Sequence, residues 1–137
     1  MEEIEHLMPN GLHDAYLLGI STDYKQRTLR LELNWLVGSS AEETHGQRFH
    51  YQPGSLLIHG LRYCVVEAPL HGDGAEPDQI NGFETGRDEI ERCNLPDVNE
   101  DVFRHSLYVG YWTSFIHFAG TSAEVIPAGL IVREMGR

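Results

Sequence analysis

The feature that most constrains the fold is an alternation of polar and apolar residues from Thr28 to Trp35, with Val37 continuing the apolar parity. Leucine, tryptophan and valine fill one parity, whereas threonine, arginine, glutamate and asparagine begin the other. Successive side chains of a strand point to opposite faces, so this pattern is typical of a strand with one face in a core. The apolar residues 12–20 precede it across the polar residues 21–27. We therefore predict a β-hairpin, with strands over residues 12–20 and 27–37.

Two long apolar stretches predict further strands. Residues 55–67 form one, after a short strand at 47–52 and a turn at Pro53-Gly54. Gly60 lies in the middle of this stretch and is a natural place for a bend. Because both parities are apolar, we expect residues 55–67 to be covered on both faces.

The second stretch, residues 106–120, is rich in aromatic and β-branched residues. It is too long for one strand, and we expect it to divide near residues 112–114. The closing segment contains Pro127, which cannot donate to a ladder and therefore predicts an edge strand or a break there. The crowded aromatic side chains between residues 108 and 118 predict core packing or, if exposed, a homodimer interface.

Residues 73–101 differ in character from the rest of the chain. They contain ten acidic residues against two arginines and so carry eight units of the net charge of −11. We predict an excursion from the sheet made of loop and one short helix, with Thr85 as its N-cap. A strand over residues 80–84 is the alternative. The same segment is a candidate docking surface for a basic partner.

Together these patterns predict one domain, residues 1–137, that is mainly β, with a β-rich α+β fold as the alternative. Few helical stretches separate the strands, which favours an antiparallel sheet arranged as a sandwich or a part-closed barrel.

Charge and composition argue against several functions. A net charge of −11 excludes the cationic footprint that nucleic acids and anionic membranes require. No apolar run approaches the ~20 residues of a membrane span. The acidic start of the chain is unlike a signal peptide, so we expect a cytoplasmic protein in which Cys64 and Cys93 are free thiols.

Motifs for catalysis are not evident in the sequence. There is no Gly-x-Ser-x-Gly and no phosphate-cradling glycine loop. Eight histidines invite a metal, but no His-x-His or His-x-x-x-His pair occurs, so we expect neither a metal nor a cofactor. The histidines are His6, His13, His45, His50, His59, His71, His105 and His117.

His13 and Asp14 are two polar residues at the start of an apolar strand. They bond the backbone at the end of the sheet, or they form a ligand-binding rim. The second interpretation gives our alternative function: a small-molecule or metal binder, or an enzyme, with a pocket rimmed by His13, Asp14, His59 and Trp112. It requires a concave cavity of ~300 Å³ or more with convergent polar groups.

Three short motifs carry a family resemblance. Leu-His-Asp-Ala occupies residues 12–15, a hairpin follows with Asp-x-x-x-x-Thr-Leu-x-Leu-x-Leu from Asp23, and Ser-Phe-Ile-His-Phe-Ala occupies residues 114–119. In these the chain resembles a group of small bacterial proteins of unassigned function, some of them labelled immunity proteins of toxin systems. The resemblance implies a small β-rich fold and a non-enzymatic role, and it identifies no catalytic residue.

We therefore expect a non-enzymatic protein that binds another protein or itself. Its most specific form is an acidic immunity-type protein that neutralises a basic partner.

Overall fold

The computed structural model describes residues 4, 7, 12, 15–42, 46–68, 78–110, 112–129 and 132–135. This part of the chain is mainly β, as predicted, with nine strands and one short helix. The strands are β1 (Ala15–Asp23), β2 (Thr28–Glu42), β3 (Gly46–His59), β4 (Tyr63–Val66), β5 (Asp78–Glu84), β6 (Phe103–Val109), β7 (Ser114–Gly120), β8 (Ser122–Pro127) and β9 (Val132–Met135). The helix is α1 (Arg87–Arg92).

All nine strands belong to one antiparallel sheet. Its order is β4-β7-β6-β5-β1-β2-β3-β8, and β9 pairs with the N-terminal half of β3. The predicted β1–β2 hairpin is confirmed, with Asp23 opposite Thr28 beside its loop. The predicted division of residues 106–120 is confirmed too, since β6 ends at Val109 and β7 begins at Ser114.

The two ends of the sheet are connected through the chain, because β3 runs into β4 and β7 runs into β8. His59 pairs with Ser122 on one side of the bend and Tyr63 with Ala119 on the other. Two backbone hydrogen bonds continue the strand pairing through the bend. The Thr121 amide donates to the His59 carbonyl at 2.9 Å, and the Arg62 amide donates to the Ala119 carbonyl at 2.8 Å. The sheet therefore curls around its core but remains one open sheet, and the described strands do not form a closed barrel.

Gly60 makes this bend, as its place in the sequence suggested. Its φ is +61°, a conformation that side chains with a Cβ rarely adopt. A Cβ at this position would also collide with the side chain of Thr121. The tight turn between β3 and β4 thus requires glycine.

The core lies inside the curl and contains the predicted face of β2 from Leu29 to Trp35. Its leucines and tryptophan are at most 3 % exposed, and each such side chain contributes roughly 1.5–3 kcal/mol through burial. The other strands supply the remaining wall. The buried members of this core are Ile4, Leu12, Ala15, Leu17, Leu29, Leu31, Leu33, Trp35, Leu56, Ile58, Ile80, Leu107, Val109, Ile116 and Phe118.

The predicted turn at Pro53-Gly54 is wrong. Both residues lie within β3, where Pro53 is opposite Asn34 and Gly54 opposite Leu33. A Cβ on Gly54 would lie 2.6 Å from the Trp35 ring, so this glycine serves close packing across the sheet rather than a change of direction. The prediction that residues 55–67 are covered on both faces holds only partly, because Val66 is 48 % exposed.

The described part of the acidic segment, residues 78–101, contains regular structure rather than loop and one helix alone. It contains β5, which confirms the alternative strand reading, and then α1, whose N-cap is Gly86 rather than Thr85. The Gly86 amide donates to the Glu89 carboxylate at 3.0 Å. Residues 85–102 then cover the outer face of β4 and β7, where Leu95 and Val102 pack with Tyr63 and Ala119 in a second, smaller core.

Across the described residues, none of the helical structure has the length and apolar character needed to cross a membrane.

Candidate functional site

Of the four residues predicted to bind a ligand, the two that the structure describes, His59 and Trp112, do not line the same cavity. His13 and Asp14 lie outside the described residues. His59 lies at the end of β3 with its Nε2 2.8 Å from the Glu124 carboxylate, and both side chains are largely exposed. Trp112 lines a cavity of about 280 Å³ beside Leu17 and Gly19, whereas His59 lines a different one.

A groove of about 680 Å³ lies between the β1–β2 hairpin and β4. It has the size that a small-molecule site requires. Three charged side chains reach it, from Asp23, Arg27 and Arg62, but His59 and Trp112 are not part of its wall.

The most connected polar cluster lies on the outer face of the sheet, beneath the segment that contains α1. Alternation along β7 explains its position, because Ile116 and Phe118 point into the main core and His117 therefore points outward. Residues 85–102 cover that face, so that His117 is 0 % exposed. Three other elements provide its neighbours: Glu67 follows β4, Cys93 is the C-cap of α1, and Ser106 lies within β6 opposite His117.

Glu67 is the centre of this cluster. Its Oε2 lies 2.9 Å from His117 Nε2 and accepts a hydrogen bond from the Cys93 thiol at 3.2 Å. Its Oε1 accepts the Phe115 amide at 3.2 Å, and its own amide donates to the Phe115 carbonyl at 3.0 Å. The carboxylate is thus held by three contacts, from two residues of β7 and from Cys93 after α1, and the Glu67 backbone amide adds a fourth bond to β7.

The hydrogen bonds continue on the other side of the imidazole. His117 Nδ1 lies 2.7 Å from Ser106 Oγ, which lies 2.6 Å from Thr85 Oγ1. An ionised carboxylate only accepts, so a neutral His117 carries its proton on Nε2, and Nδ1 accepts from Ser106. The hydroxyls of Ser106 and Thr85 can each donate or accept, so the hydrogen bonds from Thr85 to His117 can also run in the opposite direction.

The protonation of the cluster follows from these contacts. Partial burial raises the pKa of the Glu67 carboxyl, but the hydrogen bonds from His117, Cys93 and the Phe115 amide outweigh it and bring the net pKa below its usual value. The pKa of the Cys93 thiol is raised by desolvation and by the hydrogen bond to Glu67. At neutral pH the carboxylate is therefore ionised and the thiol protonated, which makes Cys93 a weak nucleophile.

Cys64 is a poor candidate for chemistry as well. Burial raises the pKa of its thiol to about 11, and its side chain packs against the main core. Both described cysteines are free thiols, as the sequence predicts.

Aromatic rings shield the cluster. The Phe115 ring stacks on the His117 imidazole with centroids 5.6 Å apart and planes 16° apart. The Arg92 guanidinium lies over the same Phe115 ring, 5.4 Å from its centroid. The aromatic-rich strand thus supplies the core through Phe118 and the wall of this cluster through Phe115.

Sequence reasoning missed this cluster because its members are far apart in the chain. Glu67 is 26 positions from Cys93 and 50 from His117, so no spacing rule for metal or catalytic motifs connects them. One signal was present: His117 is a polar residue at an outward parity of an otherwise apolar, aromatic strand.

A second feature of the same region is an acidic face, defined here as the exposed carboxylates of residues 84–101. A groove of about 360 Å³ opens within it, with Glu84, Glu100 and Asp101 on its wall together with Arg104. Arg104 is engaged elsewhere, since its guanidinium donates to the Pro96 carbonyl at 2.9 Å and lies 5.8 Å from the Tyr63 ring centroid. The exposed members of the face are Glu84, Asp88, Glu91, Asp97, Glu100 and Asp101.

Comparisons with known proteins give no match: no family model, no curated protein and no solved structure is similar to this chain.

Proposed function

We propose that this protein acts by binding a basic protein partner through its acidic face, without catalysing a reaction. The observation that carries the proposal is the groove of about 360 Å³ walled by Glu84, Glu100 and Asp101. A lysine or arginine side chain of a partner has the length and charge to enter such a groove. Complementary charge of this kind steers association and selects the partner.

The setting of these carboxylates supports the proposal. Glu84 ends β5, and Asp101 precedes β6, the strand paired with β5. The groove therefore lies between the end of β5 and the turn that leads into β6, with Arg104 of β6 also on its wall.

The arginines of the region offset the charge of the face only in part. Arg87 and Arg92 are exposed on α1, and Arg104 lines the groove itself. Six exposed carboxylates against these three arginines leave the face net negative. An immunity-type role against a basic toxin, in the cytoplasm where Cys64 and Cys93 stay reduced, is the most specific form of the proposal.

The test is affinity capture with a charge-reversed variant, Glu84→Lys/Glu100→Lys/Asp101→Lys. The matched control carries the same charge change on other strands, Asp23→Lys/Glu32→Lys/Glu124→Lys, where all three carboxylates are also exposed or half-exposed. We expect the unmodified protein and the control to capture a common lysine- or arginine-rich protein from bacterial lysate. That capture should weaken as salt rises from about 50 to 300 mM.

Loss of the common protein in the groove variant alone supports the proposal. Capture of the same protein at equal yield by the groove variant overturns it, as does a yield that salt does not change.

A second candidate function rests on the groove of about 680 Å³ beside β4. Its volume fits a small ligand, and Asp23, Arg27 and Arg62 offer both signs of charge. We expect an anionic metabolite, tested as a set of common nucleotides and carboxylic acids, to raise the melting temperature of the unmodified protein but not of Arg27→Ala/Arg62→Ala. If no compound in the set does so, this second function is abandoned.

A further inference from the structure

The cluster around Glu67 brings together three side chains that are also common metal ligands. A carboxylate oxygen, an imidazole nitrogen and a thiol sulfur, from Glu67, His117 and Cys93, all lie within 4.8 Å of one another. These are the three atom types that bind zinc in proteins. We propose that the three residues form a binding site for a divalent transition-metal ion, with Zn²⁺ as the ion that fits best.

The distances suit such an ion. Zinc bonds of ~2.0–2.3 Å in tetrahedral geometry place neighbouring ligand atoms roughly 3.3–3.7 Å apart. Glu67 Oε2 is 2.9 Å from His117 Nε2 and 3.2 Å from Cys93 Sγ. Separations a few tenths of an ångström longer would accommodate the ion, and Cys93 lies at a helix end where such a movement disturbs little.

The proton balance also closes. Without metal, the Cys93 thiol and His117 Nε2 each direct a proton at the same oxygen of Glu67. On binding, the thiol proton leaves to solvent and the imidazole takes its other neutral tautomer, with hydrogen on Nδ1. Zn²⁺ with one thiolate and one carboxylate is then electrically neutral, which suits a site where His117 is fully buried.

The hydroxyls behind His117 can support that tautomer. Ser106 Oγ lies 2.7 Å from Nδ1 and can accept its hydrogen, while its own hydroxyl turns to Thr85 at 2.6 Å. A partner on the remote nitrogen of a ligating histidine is the usual second shell of a zinc site. Here two buried hydroxyls provide it, from β6 and the residue after β5.

The site would have three protein ligands and one open position. Glu67 Oε1 is occupied by the Phe115 amide, so the carboxylate would bind through Oε2 alone. The Glu67 side chain is 28 % exposed, so water can reach the fourth position. An ion there would also connect α1 to β4 and β7, and would hold the acidic face on the sheet. This inference is independent of the proposed partner.

Cobalt titration tests the site directly. Metal-stripped full-length protein should bind one Co²⁺ and show the near-ultraviolet thiolate-to-cobalt charge-transfer band, together with the intense visible bands of tetrahedral cobalt. Zn²⁺ added afterwards should remove both. Cys93→Ser should lose the thiolate band, whereas Cys64→Ser, the matched control at the other free thiol, should keep it.

Ser106→Ala keeps all three ligands and removes only the support behind His117. It should weaken zinc binding by about 10–100-fold if that support acts as a second shell. Circular dichroism confirms that each variant is folded before titration. Absence of a thiolate band in the unmodified protein overturns the inference, and so does a band that persists in Cys93→Ser or disappears in Cys64→Ser.

Discussion

Two buried histidines show how one residue type takes two roles on neighbouring strands. His105 and His117 are both 0 % exposed, on β6 and β7. His105 shares its parity with Leu107 and faces the main core, where its ring lies 5.6 Å from that of Phe118. His117 faces the opposite side, towards Glu67. Neighbouring positions of a pleated sheet thus place one imidazole among apolar side chains and the other in a polar cluster.

The core setting of His105 predicts an acid-sensitive stability. Burial lowers its pKa from 6.5 to about 3, because the imidazolium would be desolvated. The unfolded chain therefore binds a proton below pH 6.5 that the folded protein does not. Stability is full above that pH and falls as pH decreases towards 3, by roughly 1.4 kcal/mol per pH unit.

Urea unfolding between pH 7 and 4.5 measures this effect. The lower limit of pH 4.5 avoids the more acidic range in which Glu67, whose pKa is also lowered, loses its own contribution. His105→Leu should flatten the dependence of the unfolding free energy on pH, whereas His59→Gln, at an exposed histidine, should leave it steep. An unchanged slope in His105→Leu would show that other groups cause the acid sensitivity.

The inward residues of β2 from Leu29 to Trp35 were predictable from the sequence, because the alternation over residues 28–35 is a local pattern that burial then enforces. The Glu67 cluster was not predictable, since its residues meet only after the sheet curls and residues 85–102 fold over it. His13 and Asp14 stay predictions, because they lie outside the described residues.

At the scale of elements, the bend between β3 and β4 depends on Gly60. Gly60→Ala should lower the free energy of unfolding by about 1–3 kcal/mol, since φ is positive there and Thr121 fills the space. Gly19→Ala is the matched control: it also lies in the sheet, but the nearest atoms to its new Cβ, on Glu32, are 3.8 Å away. Chemical denaturation of both variants provides the measurement.

We expect Gly19→Ala to be neutral or slightly stabilising, because alanine restricts the unfolded chain more than glycine does. Equal losses in the two variants would contradict the role assigned to the bend.

Element types were predicted better than element ends. The turn predicted at Pro53-Gly54 was wrong because glycine occurs both in turns and where two side chains or strands pack closely. Here Gly54 packs against Trp35 within a strand. The signal at Pro127 succeeded, since β8 ends there and lies at one end of the sheet order. The helix in the acidic segment was predicted, but its cap was displaced by one residue to Gly86.

At the scale of the whole molecule, the net charge of −11 opposes compaction. Raising NaCl from about 10 to 150 mM shortens the screening length from roughly 30 to 8 Å and weakens this repulsion. We therefore expect the melting temperature to rise by several degrees over that range. Scanning calorimetry of the unmodified protein is the measurement.

The groove variant used for affinity capture is the control, because its net charge is much less negative. Its melting temperature should depend less on salt. A melting temperature of the unmodified protein that stays flat or falls with salt would show that specific ion pairs outweigh the general repulsion.

The continuous ribbon of β3–β4 with β7–β8 has a consequence for biosynthesis. His59, near the middle of the chain, can pair with its partner Ser122 only after Ser122 has been synthesised. A nascent chain that has only the first hairpins outside the ribosome therefore exposes the leucines of β2 and β3 to other chains. Pairing across such distances slows folding, so the protein should gain more from a chaperone at the ribosome than a helical protein of equal length would.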